Sequence, residues 1–226
     1  MQYALYIVVL LLSYLIGAIP MGYIMVKLTT GQDVRRIQSG RTGATNAMRA
    51  AGFWVGLATS LADVGKGMLS VWLARNLVSL TPWWLEVLAP VVVIFGHNYS
   101  IFTLSRDEQG RLRIGGGAGG APSVGGAAGL WWPMLFILVP LGALILFGVG
   151  YASVATMSVP LLAALIFAWR AYLGLSPWYY LWYCFLAEIL ILWALRPNIR
   201  RLMNGTERGV GWRAKRQKAR QAQQQD

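Results

Sequence analysis

The sequence predicts an all-α integral membrane protein of seven transmembrane helices, with the N-terminus outside and the C-terminus cytoplasmic. Three observations predict it. Hydrophobic residues make up 57% of the 226 residues and charged residues 12%, against about a quarter charged in an average soluble domain. Several apolar runs approach the ~20 residues needed to cross a hydrocarbon core. Tryptophans and tyrosines gather at the run ends, at Trp83-Trp84, Trp131-Trp132, Trp169 and Trp178-Tyr179-Tyr180, where amphipathic rings favour the membrane–water boundary.

The first predicted helix spans about residues 3–27. It lacks a basic leader and is too long for a signal-peptide core, so it reads as retained. A polar loop, 28–52, separates it from the second helix, 53–75, and the third is placed at 83–104. The fourth, 115–131, is rich in glycine and alanine with Pro122 inside. Such a stretch is a poor helix in water, but small residues let membrane helices pack closely. A six-helix alternative makes it a re-entrant loop. The remaining helices are placed at 133–150, 153–172 and 177–195. Residues 1–207 form one membrane domain, and 208–226 a basic, glutamine-rich tail expected to be disordered and near anionic headgroups. The single Cys184 lies in an apolar run and is expected only to pack.

Charge sets the orientation. Seven crossings place 17 of the 20 Lys and Arg residues on one face: Lys27, four in loop 28–52, three in loop 105–114 and nine from Arg196 to Arg220. Arg75 and Arg170 fall on the other face, and Lys66 lies inside a helix. The positive-inside rule makes the basic face cytoplasmic. A nucleic-acid role fits poorly, because the basic tail abuts the membrane and no folded reader accompanies it.

The polar loop Ser39-Gly40-Arg41-Thr42-Gly43-Ala44-Thr45-Asn46-Ala47-Met48-Arg49 holds glycines, hydroxyls, an amide and arginines, with no acid. Glycines let backbone N–H groups approach a ligand, and guanidinium groups supply fixed positive charge. The loop therefore suits a phosphate held at the membrane face. Asp63 and Lys66 stand three residues apart on one helix face, each costing about 3 kcal/mol to insert. They are either a self-neutralising packing pair or the lining of a polar site with Lys66 as phosphate partner. His97, the only histidine, is either a buried structural residue or a proton relay. Gly115 to Gly120 contains a formal GxGxxG, but no βαβ unit surrounds it. A backbone cradle for phosphate behind Arg111 and Arg113 fits it, as does a small-residue packing surface. Glu188 is expected to face the bundle interior. One histidine and one cysteine leave no credible metal site, and no cofactor is expected.

These blocks resemble the bacterial acyl-phosphate:glycerol-3-phosphate acyltransferases, the PlsY family. That family's first block, G-S-G-N-x-G-A-T-N-x-x-R, stands here as Gln38 to Arg49. Its D-x-x-K-G matches Asp63 to Gly67, its G-H matches Gly96-His97, and its N-I-x-R-L-x-x-G-x-E matches Asn198 to Glu207. The resemblance runs to about Glu207. It implies acyl transfer from acyl-phosphate to the 1-hydroxyl of sn-glycerol 3-phosphate, giving lysophosphatidic acid and phosphate. The implied location is the bacterial inner (plasma) membrane, with the active site on the cytoplasmic side. The implied partners are the lipid bilayer and the two small-molecule substrates. Ser39, Arg49, Lys66 and His97 become the candidate catalytic residues. Gly40, Arg41, Gly43, Thr45, Asn46, Arg113, Gly116, Gly117, Gly119, Asn198 and Glu207 become candidates for substrate binding, with Glu207 positioning Arg201 or an adjacent loop.

The departures are equally specific. The lysine of the family's glycine-rich block is Ala118, the histidine three residues before Asn198 is Leu195, the arginine of R-Y-V-S is Gly150, the asparagine of the first block is Arg41, and a proline after G-H is Ser100. Either a nearby cation, Arg113 or Arg41, replaces the lysine, with Arg113 preferred, or the chain is a weakened paralogue that binds acyl-phosphate or partners without turnover. A small transporter is a third reading, supported only by Asp63, Lys66 and Glu188 and by no internal repeat.

Overall fold

A computed structural model describes residues 2–106 and 109–223. Among these, ten α-helices follow in order: α1 (Gln2–Ala18), α2 (Met21–Thr30), α3 (Ala44–Ala51), α4 (Phe53–Leu77), α5 (Trp83–Asn98), α6 (Gly120–Leu130), α7 (Met134–Val149), α8 (Ala152–Tyr172), α9 (Tyr180–Met203) and α10 (Trp212–Ala222). Between α5 and α6 a short antiparallel ribbon pairs Ser105–Arg106 with Leu112–Arg113. The fold is all-helical apart from that ribbon. Four stretches are long and apolar enough to cross a membrane: Gln2–Thr30, Trp83–Thr103, Ala152–Tyr172 and Tyr180–Met203, with Met134–Val149 a shorter apolar helix. The outward surface carries Trp54, Trp72, Phe136, Leu144, Leu165 and Trp169 exposed, as a lipid-facing belt requires.

The predicted first helix is broken at Ile19-Pro20. Proline cannot donate to the helix ladder. Two side chains reach carbonyls at the break: Ser100 Oγ donates to Ala18 O, and Lys66 Nζ donates to Ile19 O, which also accepts from Met21 N–H at 3.0 Å. In a membrane such substitution is what makes a break tolerable.

The core lies where α4, α5, α6, α8 and α9 meet, around Val64, Ile94, Phe167, Tyr183, Ile191 and Leu195. Cys184 is buried in it as expected from its apolar run. α4 and α6 cross with almost no side chain between them. A Cβ on Gly67 would stand 2.3 Å from Pro122 O, and one on Gly125 would stand 1.9 Å from Val64 O. The small residues that make α6 a poor helix in isolation are therefore its packing surface.

Three expectations are corrected. The helix predicted over 115–131 begins only at Gly120, because residues 115–117 spend their backbone elsewhere. Ser100 N–H donates to Gly115 O, Thr42 N–H to Gly116 O, and Gly117 N–H to His97 O. A segment bonded on both flanks cannot also close helical turns. The last predicted span, 177–195, continues as α9 to Met203, carrying Asn198 with it. The tail from 208, expected to be disordered, folds back over 208–222. Val210 N–H donates to Gly150 O at 2.8 Å, and Trp212 Nε1 donates to Phe147 O at 3.0 Å. Residues 224–226 of that tail lie outside the described residues.

Candidate active site

The site grows from the turn before α3. Gln38 and Gly40 both adopt positive φ, at 50° and 68°, on either side of Ser39. A non-glycine residue in that region marks a local conformation held by its surroundings. Asn46 does much of the holding. Its Nδ2 stands 2.9–3.0 Å from the carbonyls of Val34, Ile37 and Arg41. Its donor group is thus committed to the loop, while its Oδ1 has no hydrogen-bond partner among the described residues.

Arg41 ties the loop to two distant segments. Its Nη1 donates to Gly117 O at 2.7 Å, and its Nη2 donates to Ala194 O at 2.5 Å and Asn198 Oδ1 at 3.3 Å. Five N–H groups less these three leave two for a ligand. Burial, and after it Arg201, lowers the Arg41 pKa from the usual arginine value. Burial first and Arg208 second lower that of Arg49. Neither change removes the charge at neutral pH.

A cavity of about 380 Å³ opens beside this clamp. Its lining includes polar Ser39, Arg41, Thr45, Arg49, His97 and Asn198 and apolar Leu57, Val64, Leu138, Val139, Leu146 and Val159. Two helix starts line the cavity. Gly43, Ala44 and Thr45 open α3, and Gly119, Gly120 and Ala121 open α6, neither with a side-chain cap. Their first N–H groups have no acceptor within the helix and carry the positive end of the dipole. Gly119 reaches its place with φ +91°, and Gly117 lies so close to His97 that a Cβ would stand 1.9 Å from Nε2. A second cavity, of about 320 Å³, shares Ser39, Arg41 and Asn198 with the first and adds Gly40, Gly116, Arg196 and Arg201.

Of the predicted residues, Ser39, Arg41, Gly43, Thr45, Asn46, Arg49, His97, Gly119, Asn198 and Glu207 line the first cavity. Gly40 and Gly116 line the second. Gly117 stands behind the first cavity, with its carbonyl on Arg41 and its Cα against His97. Glu207 is buried and accepts from Asn198 Nδ2 at 2.8 Å, Arg201 Nε at 2.9 Å and Ser153 Oγ at 3.1 Å.

Two of the candidate cations line neither cavity. Lys66 is on neither cavity wall. It is buried, bonded to Asp63 Oδ1 at 2.7 Å and to the Ile19 carbonyl. Its backing of the site runs through Asp63, which also lies 3.6 Å from His97 Nδ1. Arg113 sits exposed on the ribbon, outside both linings. Of the two cations considered for the vacated lysine position, Arg41 is the one that stands beside it. Its Nη1 holds the carbonyl immediately before Ala118.

Sequence reasoning missed Arg208, Asn98 and Ser153. Arg208 and Ser153 line the first cavity, and Asn98 the second. Arg208 follows the last motif residue and looked like tail. Ala118 and Leu195 both line the first cavity, so those two departures face the site. Glu188, expected in the interior, is half-buried with Oε2 lacking a partner among the described residues. No cluster of metal-ligating side chains occurs among the described residues.

Residues 7–205 match the profile of the glycerol-3-phosphate acyltransferase family. A glycerol-3-phosphate acyltransferase of Thermus thermophilus is 37% identical over 205 residues, covering 91% of this chain and 95% of the relative. Glycerol-3-phosphate acyltransferase 2 of Moorella thermoacetica is 34% identical over 215 residues, covering 93% of this chain and 100% of the relative. Among solved structures, the glycerol 3-phosphate form of PlsY, an integral membrane glycerol 3-phosphate acyltransferase, superposes with a TM-score of 0.73 at 28% identity. The alignment covers 91% of this chain and 96% of that one. The lysophosphatidic acid form of PlsY gives a TM-score of 0.71 at 27% identity, covering 91% and 95%.

Proposed function

The chain belongs to the glycerol-3-phosphate acyltransferase family, and we propose that it transfers an acyl group from acyl-phosphate to the 1-hydroxyl of sn-glycerol 3-phosphate. The observation that carries this reading is the lining of the first cavity. It combines arginines and hydroxyls with a set of aliphatic side chains, as a donor with a phosphate head and a lipid tail requires. Membership supplies the acceptor, and the cavity supports a phosphorylated, long-chain donor.

The chemistry asks little of the protein. The hydroxyl oxygen attacks the carbonyl carbon, the C–O bond to phosphate breaks, and the departing phosphate takes up the hydroxyl proton. An acyl-phosphate is already activated, so no acyl-enzyme is needed. Ser39, Thr45 and Asn198 orient the reactants, and Arg41 and Arg49 hold phosphate charge with the starts of α3 and α6. Holding two reactants together can lower the barrier by up to ~10 kcal/mol in ideal systems. His97, backed by Asp63, relays a proton or fixes the glycine segment. The working arrangement is seven spans in the bacterial inner membrane, with the N-terminus outside and the site on the cytoplasmic side.

Purified protein in detergent, given acyl-phosphate and labelled glycerol 3-phosphate, should yield labelled lysophosphatidic acid and inorganic phosphate. Substrate binding without product would instead establish a non-transferring paralogue, the reading favoured by Ala118 and Leu195 on the cavity wall.

A further inference from the structure

Arg208 lies past the end of the family match at residue 205, yet it lines the same cavity as Arg49 and Ser153. Its side chain makes no hydrogen bond or ion pair among the described residues. The adjacent carboxylate, Glu207, is already taken by Asn198, Arg201 and Ser153.

The backbone around Arg208 is fixed from both sides. Arg49 Nη2 donates to Gly209 O at 3.2 Å. Gln217, on α10, closes a two-way clasp: its Nε2 donates to Glu207 O at 2.8 Å, and its Oε1 accepts from Gly209 N–H at 2.8 Å. Further along, Arg213 Nε donates to Val149 O at 2.9 Å. The docking of α10 needs a bare position at Gly150. That residue has φ +76°, and a Cβ there would stand 2.9 Å from Arg213 Cβ. The chain thus has no side chain at 150 and gains a helix folded across it.

We propose that Arg208 is a substrate-binding residue that shares with Arg49 the phosphate of one substrate, and that α10 is the latch that sets it there. This rests on the acyltransferase reading. Two guanidinium groups lining one cavity repel each other, and an anion bound between them offsets that cost. A phosphate monoester, with several acceptor oxygens, answers two planar donors at once. Burial first, and the charge of Arg208 second, lower the Arg49 pKa.

The test uses the full chain in detergent and two readouts. Thermal unfolding titrated with inorganic phosphate reads binding without turnover. Wild type should be stabilised, and Arg208→Ala should need about tenfold more phosphate for the same shift, the scale of one charge-assisted contact. In steady-state kinetics Arg208→Ala should raise one KM about tenfold, with kcat less affected. Whether the KM for acyl-phosphate or for glycerol 3-phosphate moves identifies whose phosphate is held. Arg208→Lys should recover part of the loss, and Gln217→Ala should show a smaller rise in the same KM. Unchanged phosphate titration and unchanged KM values in Arg208→Ala overturn the proposal. Phosphate stabilisation of a wild type that transfers no acyl group would leave this site standing and remove the acyltransferase reading instead.

Discussion

Arg41 and Ala118 form an exchange that can be reversed. The related family carries asparagine and lysine at these two positions, and this chain carries arginine and alanine. Arg41 reaches across the site to the carbonyl of Gly117 at 2.7 Å, beside the position where a lysine would begin. Arg41→Asn removes that contact, the one to Ala194 O at 2.5 Å, and the guanidinium's two uncommitted N–H groups. One charge-assisted hydrogen bond to phosphate is worth about 2 kcal/mol, or about 30-fold in rate. The lost loop clamp adds to this, so kcat/KM should fall by about 30-fold or more. Arg41→Asn with Ala118→Lys restores the cation from the opposite wall and should recover at least about tenfold of the loss, the gain of one such contact. The assay is phosphate release from acyl-phosphate in the presence of glycerol 3-phosphate. A double variant no better than Arg41→Asn alone would refute the exchange. So would an Arg41→Asn enzyme with unchanged kinetics.

Arg113→Ala should leave kinetics within about twofold, the scale of an exposed charge with no substrate contact, because Arg113 is exposed and off both cavities; a large loss would return the compensating role to it. Lys66→Met should lower stability by about 3–5 kcal/mol, because Asp63 then keeps a buried unpaired charge; unfolding in detergent measures it, and a stable variant with only a raised KM would make Lys66 a phosphate ligand. A reporter fused after Glu207 should read cytoplasm, and a cysteine before Tyr3 should be labelled from outside. Both ends on one side would exclude seven crossings. Transfer should prefer acyl-phosphate to acyl-coenzyme A and survive a chelator, and equal rates with the two donors would defeat the donor assignment.

The four long apolar helical stretches were legible because lipid imposes one demand that local sequence can report: long apolar runs with aromatic ends. What the runs could not report is where backbone groups bond outside their own helix. Residues 115–117 look helical by composition, yet Ser100, Thr42 and His97 take their backbone bonds. The break at Pro20 shows the same limit from the other direction. Proline announces a kink, but nothing nearby says that Lys66 and Ser100 will complete it from 47 and 82 positions away.

The site was legible as chemistry and not as roles. One loop supplies Ser39, Arg41, Asn46 and Arg49, and all four line the first cavity. Asn46 spends its amide within 12 positions of itself, holding the loop's shape. Arg41 spends most of its donors 76 to 157 positions away, and Arg49 keeps only a 3.2 Å contact to Gly209. Which polar residue builds a site and which serves it depends on acceptors the loop does not contain. A phosphate needs donors left over after the fold is satisfied. By that count Arg49 and Arg208 have the most to offer, Arg41 has two N–H groups, and Asn46 and Lys66 have least, although the motif reads them all alike.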